Sequence, residues 1–186
     1  MKEPYKDSEY AVSHAVRSSV YMSRLEEIWY GISGPFYDIM TWWCFLPMGG
    51  EIACRRDFVD WFEVEPDHYV LSLCCGTGST ERALIELIPS AKVTAIDLGS
   101  GQITTAKQKD LTGLLDYRVG NACDTGFEPE SFDRVLITLA LHEMPRKLRM
   151  SILQEAKRVC RPDGYVIAIE HAPLSSWFQR FVRSLW

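Results

Sequence analysis

Cys74-Cys75-Gly76-Thr77-Gly78-Ser79 follows a short apolar run, and Asp97 closes the next such run nineteen residues after Gly78. Two glycines let a backbone turn tightly and approach a ligand closely, and a helix that follows offers unpaired N–H groups. A carboxylate at the end of the next strand can accept hydrogen bonds from both hydroxyls of a ribose. Together the loop and Asp97 imply an adenosine-containing ligand. A dinucleotide fold would place its third glycine where Glu81 stands, and a carboxylate there is expected to face a pyrophosphate, which opposes NAD or FAD. No Gly-Lys-Ser/Thr run supplies a P-loop either. A cofactor with adenosine but no phosphate fits better, and S-adenosylmethionine is the common one.

The elements that must hold these residues follow from hydrophobic periodicity. Tyr69 to Cys74 has the pattern of a strand buried on both faces. Ser79 or Thr80 is expected to cap a helix whose inward stripe is Ala83, Leu84, Leu87 and Ile88, with Pro89 as its stop. Ala91 to Ile96 predicts a second strand, followed by a helix through Ile103 to Lys109, and Leu115 to Val119 predicts a third strand. Arg134 to Leu141 predicts a fourth and the most apolar strand. Leu148, Ile152, Ala156 and Val159 then share one helical stripe, and Arg161-Pro162-Asp163-Gly164 reads as the turn into a fifth strand, Tyr165 to Glu170. Such alternation predicts an α/β fold: a doubly wound, mostly parallel, Rossmann-like sheet with right-handed crossovers. Ligands of these sheets bind beyond the carboxyl ends of the strands, where strand order reverses.

Residues 67–186 are expected to form this core. Residues 1–66 hold 13 of the 22 aromatics. Val12, Val16, Val20 and Leu25 recur near helical spacing, and Phe58, Trp61 and Phe62 share a face, so this segment is expected to be a helical lid. A lid that excludes water around a lipophilic or aromatic acceptor would need such a composition.

At 186 residues the chain allows one domain with a sizeable extra segment. Hydrophobic residues at 47% and charged residues at 24% exclude disordered and collagen-like classes. A net charge of -5 provides no positive field to gather phosphates, so nucleic acid is not the expected partner. The N-terminus lacks the apolar stretch of a secretory signal. Glycines and prolines interrupt residues 28–50, so no transmembrane segment is expected. The six cysteines show neither a C-x-x-C pair nor zinc-finger spacing, which implies no metal site and reduced thiols in a cytoplasmic protein.

Val70-Leu71-Ser72-Leu73-Cys74-Cys75-Gly76-Thr77-Gly78 resembles the first motif of class I S-adenosylmethionine-dependent methyltransferases. Val93-Thr94-Ala95-Ile96-Asp97-Leu98 resembles their ribose-binding motif. Gly120-Asn121-Ala122, followed by Phe132-Asp133-Arg134-Val135, resembles the adenine-contacting turn and fourth strand. Leu141-His142-Glu143-Met144 and Arg158 to Tyr165 resemble the later motifs, so the likeness covers about residues 69–172. Asn121-Ala122 and Phe36-Tyr37-Asp38-Ile39-Met40 are most similar to the ubiquinone/menaquinone-biosynthesis branch.

The resemblance implies that Cys75, Gly76, Thr77 and Gly78 line the methionine part, that Asp97 and Leu98 hold the ribose, and that Asn121 and Ala122 meet the adenine. It implies that Thr138 faces the cofactor near the reaction centre and that Tyr37 closes over it. The acceptor would be a small molecule, with His142 the first candidate for a general base and Asp38 the second. Ser72 stands where the family usually has an acidic residue, which shifts the work of that carboxylate to a neighbour or weakens the hold on the cofactor. Two other classes stand beside this one. Ser72 and the short C-terminus suit a methyltransferase-like binding or regulatory protein without catalysis, whereas the absent third glycine opposes a nicotinamide-dependent dehydrogenase. Family folds usually end in a further helix and strand pair that Ala172 to Trp186 is too short to supply. Either a homodimer that buries this tail and the open sheet edge or a natural chain longer than this sequence is therefore expected.

Overall fold

The computed structural model describes residues 42–43, 45–46 and 49–170. The expectations for Tyr37, Asp38, the earlier helical spacing and the tail from Ala172 lie outside the described residues. In chain order the elements are α1 (Glu51–Trp61), β1 (Tyr69–Leu73), α2 (Ser79–Leu87), β2 (Lys92–Asp97), α3 (Ser100–Lys109), β3 (Leu115–Val119), β4 (Phe132–Thr138), α4 (Arg146–Val159) and β5 (Cys160–Ile169).

An apolar run without alternation is driven to the middle of a sheet covered on both faces. All five residues of β1 are buried, and β1 pairs in parallel with β2 on one side and β4 on the other. The strand order is β3-β2-β1-β4-β5, parallel throughout, which is the doubly wound sheet expected from the alternation. The chain runs outward from β1 through β2 to β3, then returns to β4 on the other side. That reversal opens a crevice beyond the carboxyl ends of β1 and β4.

Alternate residues of the central strands feed two cores. Leu71, Leu73, Val135 and Ile137 pack with Ile152, Ala156 and Val159 of α4. Val70 and Leu136 pack with Leu84 and Ile85 of α2 and with Phe58, Val59 and Phe62 from the end of α1. Arg134 fastens α1 to the sheet: its Nε donates to the Phe62 and Glu63 carbonyls, each at 3.1 Å, and its Nη1 to the Asp133 carbonyl at 2.8 Å. Among the described residues no helix is long and apolar enough to cross a membrane.

Four local expectations are corrected. Gly78, not Ser79 or Thr80, caps α2, because Thr80 is drawn inward to other side chains. Leu87 is 47% exposed while Ile85 is buried, so the inward stripe of α2 keeps Ala83, Leu84 and Ile88 but takes Ile85 in place of Leu87. The fourth strand ends at Thr138 rather than Leu141, since Leu139 adopts φ 55 and a 3₁₀ turn follows over Leu141–Glu143. The fifth strand begins at Cys160 and carries residues 161–164 as a bulge beside β4, instead of a turn before it. The cause is Asp133, whose carboxylate takes Arg161 Nη1 and the Tyr69 N–H. Gly164 permits the approach: a Cβ there would stand 2.6 Å from the Asp133 carbonyl oxygen.

Candidate active site

The loop after β1 is built on left-handed backbone: Cys74 has φ 59, Gly76 φ 56 and Gly78 φ 75. Asp97, the last residue of β2, braces it. Its Oδ2 accepts the Gly76 N–H at 2.9 Å and its Oδ1 the Gly99 N–H at 2.8 Å. Burial pushes the Asp97 carboxyl up, opposed by these N–H groups and that of Leu98. The neighbouring chain closes around the same point, with Cys75 N–H on the Ile96 carbonyl and Gly120 N–H on the Asp97 carbonyl. Cys75, Gly76, Thr77, Gly78, Asp97 and Leu98 are thus gathered beyond the carboxyl ends of β1 and β2. Burial raises the Cys75 thiol well above its ordinary value, helped by Glu81 and Asp97, so it stays neutral.

The two glycines differ. A Cβ added to Gly76 would meet nothing within 4 Å, so the space in front of the loop is open, whereas one on Gly78 would lie 2.2 Å from Tyr117 Oη. Tyr117 reaches beneath the loop from β3 and donates to the Gly78 carbonyl at 3.3 Å. Asn121 Oδ1 accepts the Cys123 N–H at 3.0 Å, which fixes the turn after β3, and Ala122 is buried beside it.

Beyond β4, Thr138 is buried with its hydroxyl 3.3 Å from that of Thr80. His142 follows in the 3₁₀ turn, exposed, with Nδ1 2.8 Å from Glu170 Oε2. Glu170 was not singled out from the sequence, yet its Oε1 also accepts the Ala140 and Leu141 N–H groups at 3.0 and 2.6 Å. One carboxylate thereby sets both the turn and the ring that it carries. With Glu170 accepting from Nδ1–H, the basic lone pair of His142 is on Nε2.

Glu81 behaves unlike the sequence expectation. It is 1% exposed rather than presented to solvent, and its Oε1 accepts the Ser72 hydroxyl at 2.5 Å. The strand position that lacks a carboxylate therefore receives one from the helix. Burial pushes the Glu81 carboxyl up, while hydrogen bonds from Ser72 and its own backbone and the charge of Arg55 act against the shift. Arg55, from α1, donates Nη1 to Thr80 Oγ1 at 2.9 Å. Neither role was visible in the sequence.

Residues 70–164 match a family model described as a methyltransferase domain. The chain is 35% identical over 120 residues to the demethylmenaquinone methyltransferase of Oceanobacillus iheyensis, covering 62% of this chain and 50% of that protein. It is 30% identical over 141 residues to the corresponding protein of Lactobacillus johnsonii, covering 73% of this chain and 56% of that one. The chain spans about half the length of the curated relatives it matches. Among solved structures, the YcgJ protein of Bacillus subtilis superposes with a TM-score of 0.60 at 22% identity, over 73% of this chain and 58% of that one. The Haemonchus contortus phosphoethanolamine N-methyltransferase 2, solved with S-adenosyl-L-methionine, gives 0.57 at 23% identity, over 70% and 32%. These two share the fold. The family match spans half of the chain and includes the glycine loop, Asp97 and β4, and on that ground the chain belongs to the methyltransferase-domain family.

Proposed function

We propose that this chain is an S-adenosylmethionine-dependent methyltransferase that acts on a small, lipophilic or aromatic acceptor. The observation that carries the proposal is the Asp97 carboxylate bracing Gly76 beside open space, since that pairing sets a ribose acceptor against a loop with room for a ligand. The residues present suit the group: a Cβ at Gly76 would fill the space the cofactor needs. When bound, S-adenosylmethionine supplies a methyl group activated by a sulfonium.

Within this reading Asp97 and Leu98 hold the ribose, Asn121 and Ala122 meet the adenine, and the loop from Cys75 to Gly78 lies against the methionine part. Thr138 faces the reacting end. Positioning supplies most of the rate of an in-line displacement. Where the acceptor must first lose a proton, His142 takes it at Nε2, steadied by Glu170. The acceptor class is supported by the quinone-pathway names of the relatives and by the aromatic-rich first 66 residues, which the same proposal treats as a lid with Tyr37 and Asp38 on it. A cytoplasmic location belongs to it too, supported by the free thiols of Cys54, Cys74, Cys75, Cys123 and Cys160. So does a homodimer: among the described residues the outer edge of β5 has no strand partner, and light scattering across a dilution series reads it.

Calorimetry with S-adenosylhomocysteine tests the reading. Hydrogen bonds to a charged group contribute about 1.5–3 kcal/mol each, so Asp97→Ala is expected to weaken binding tenfold or more. Equal affinity in both proteins removes Asp97 from the site, and tight binding without methyl transfer to any quinone precursor or phenol favours a non-catalytic role.

A further inference from the structure

Buried polar atoms almost always have a partner, so the exceptions show where one is missing. Two opposite charges keep such exceptions where the carboxyl ends of β1 and β4 meet the first turn of α2: Glu81 Oε2 and Arg55 Nε are buried with no hydrogen-bond partner. The residues are 1% and 6% exposed. Their other atoms are already committed. Ser72 holds Glu81 Oε1, and Arg55 Nη1 is given to Thr80, whose hydroxyl touches that of Thr138. The guanidinium lies over the Phe45 and Phe58 rings at 5.2 and 5.8 Å, so swinging toward water would break both contacts. Glu51 reaches only Nη2, at 3.5 Å.

The arrangement is therefore a carboxylate and a guanidinium bracketing two threonine hydroxyls. Each has one unused, buried atom. The loop from Cys74 to Ser79 has no ionised side chain, and Asp97 is spent on the nucleoside side. A zwitterion fits this pair: its ammonium matches the carboxylate, and its carboxylate matches the planar guanidinium.

We propose that Glu81 and Arg55 bind the ammonium and the carboxylate of the amino-acid end of the cofactor. The inference rests on the S-adenosylmethionine reading above and goes beyond it, because it assigns that end to two side chains from α2 and α1 rather than to the glycine loop. It also gives α1 a purpose: the helix brings to the site the one charge that the sheet does not supply.

The test is calorimetric and needs no turnover. Wild-type chain is titrated with S-adenosylhomocysteine and with 5′-methylthioadenosine, which has the nucleoside and thioether but no amino-acid end. Two charge-assisted contacts predict about a hundredfold preference for S-adenosylhomocysteine. Glu81→Gln and Arg55→Met are each expected to lower that preference about tenfold, leaving 5′-methylthioadenosine affinity within about twofold. Arg55→Lys, which keeps the charge but not the fork, is expected to fall between. Retained binding of 5′-methylthioadenosine shows that each variant is folded. An unchanged preference overturns the proposal, and so does the loss of both ligands together, which would make the pair a support of the fold. Equal wild-type affinity for the two compounds overturns the pair alone, with water filling the place instead. Wild type that binds neither overturns the cofactor reading as well.

Discussion

Gly76 and Gly78 share a left-handed backbone, but replacing them has different consequences. An alanine at Gly76 meets open space, so its stability cost is the left-handed strain alone, about 1–2 kcal/mol. An alanine at Gly78 adds a collision with the Tyr117 ring and hydroxyl, and overpacking of this kind raises the cost to about 3 kcal/mol or more. Urea unfolding of the two variants is expected to give that order, and equal losses would show that Tyr117 moves aside freely. S-adenosylhomocysteine binding is expected to suffer more at Gly76 than its small stability loss explains. The glycines were legible in the sequence because only a turn needs them so close together. Glu81 and Arg55 were not. A Glu in the first turn of a helix ordinarily faces water and favours the helix dipole, and what reverses it here is burial against Ser72, a contact between residues on two different elements.

At the scale of elements, β3 was legible to the residue, because apolar and charged residues alternate strictly from Leu115 to Val119 between turn formers, whereas β5 was not. Its start depends on Asp133 drawing Arg161 alongside β4, a pairing that local sequence does not encode. The turn after β3 is tied to α4 in a comparable way. Glu155 Oε1 accepts the Thr125 N–H and hydroxyl at 2.9 and 2.6 Å, and Arg158 grips the same carboxylate. Burial works to raise the Glu155 carboxyl, but the bonds from Arg158 and Thr125 outweigh it and hold it below its ordinary 4.5. The group therefore stabilises the fold fully above 4.5, and the contribution is lost as the pH falls from there through the depressed folded value. Since Arg158 is partly exposed and screened by water, Glu155→Gln is expected to cost about 1–2 kcal/mol at pH 7. The gap to wild type should close between pH 4.5 and more acid conditions. Asp97 and Glu81, raised by burial, act with the opposite sign, but they are common to both proteins and cancel in the comparison. A gap that stays constant down to the acid limit would mean that Glu155 acts by shape and not by charge.

Across the whole molecule, α1 and the sheet meet through an apolar face and one cation. Arg134→Met keeps the bulk in β4 but leaves the Phe62 and Glu63 carbonyls without their donor. A loss of about 2–3 kcal/mol is expected. Hydrogen exchange should quicken in α1 well before β1, and uniform quickening would show that the helix and sheet open as one unit. If Arg55 serves the site, this loosening reaches ligand affinity as well, at a distance from any ligand contact.

The central strand has a further consequence during synthesis. β1 obtains its first partner, β2, from the residues that follow at once, but its second, β4, lies on the far side of two more crossovers, and Tyr69 waits for Asp133 across 64 positions. A ribosome that has released β3 but not β4 therefore holds a chain whose wholly buried central strand presents one bare edge, the condition under which nascent sheets meet wrong partners. The contact of Gly76 with Asp97 can close in that interval. The side with Thr138 and His142 cannot, so on the proposed reading an emerging chain would have the means to grip adenosine before it had anything with which to react.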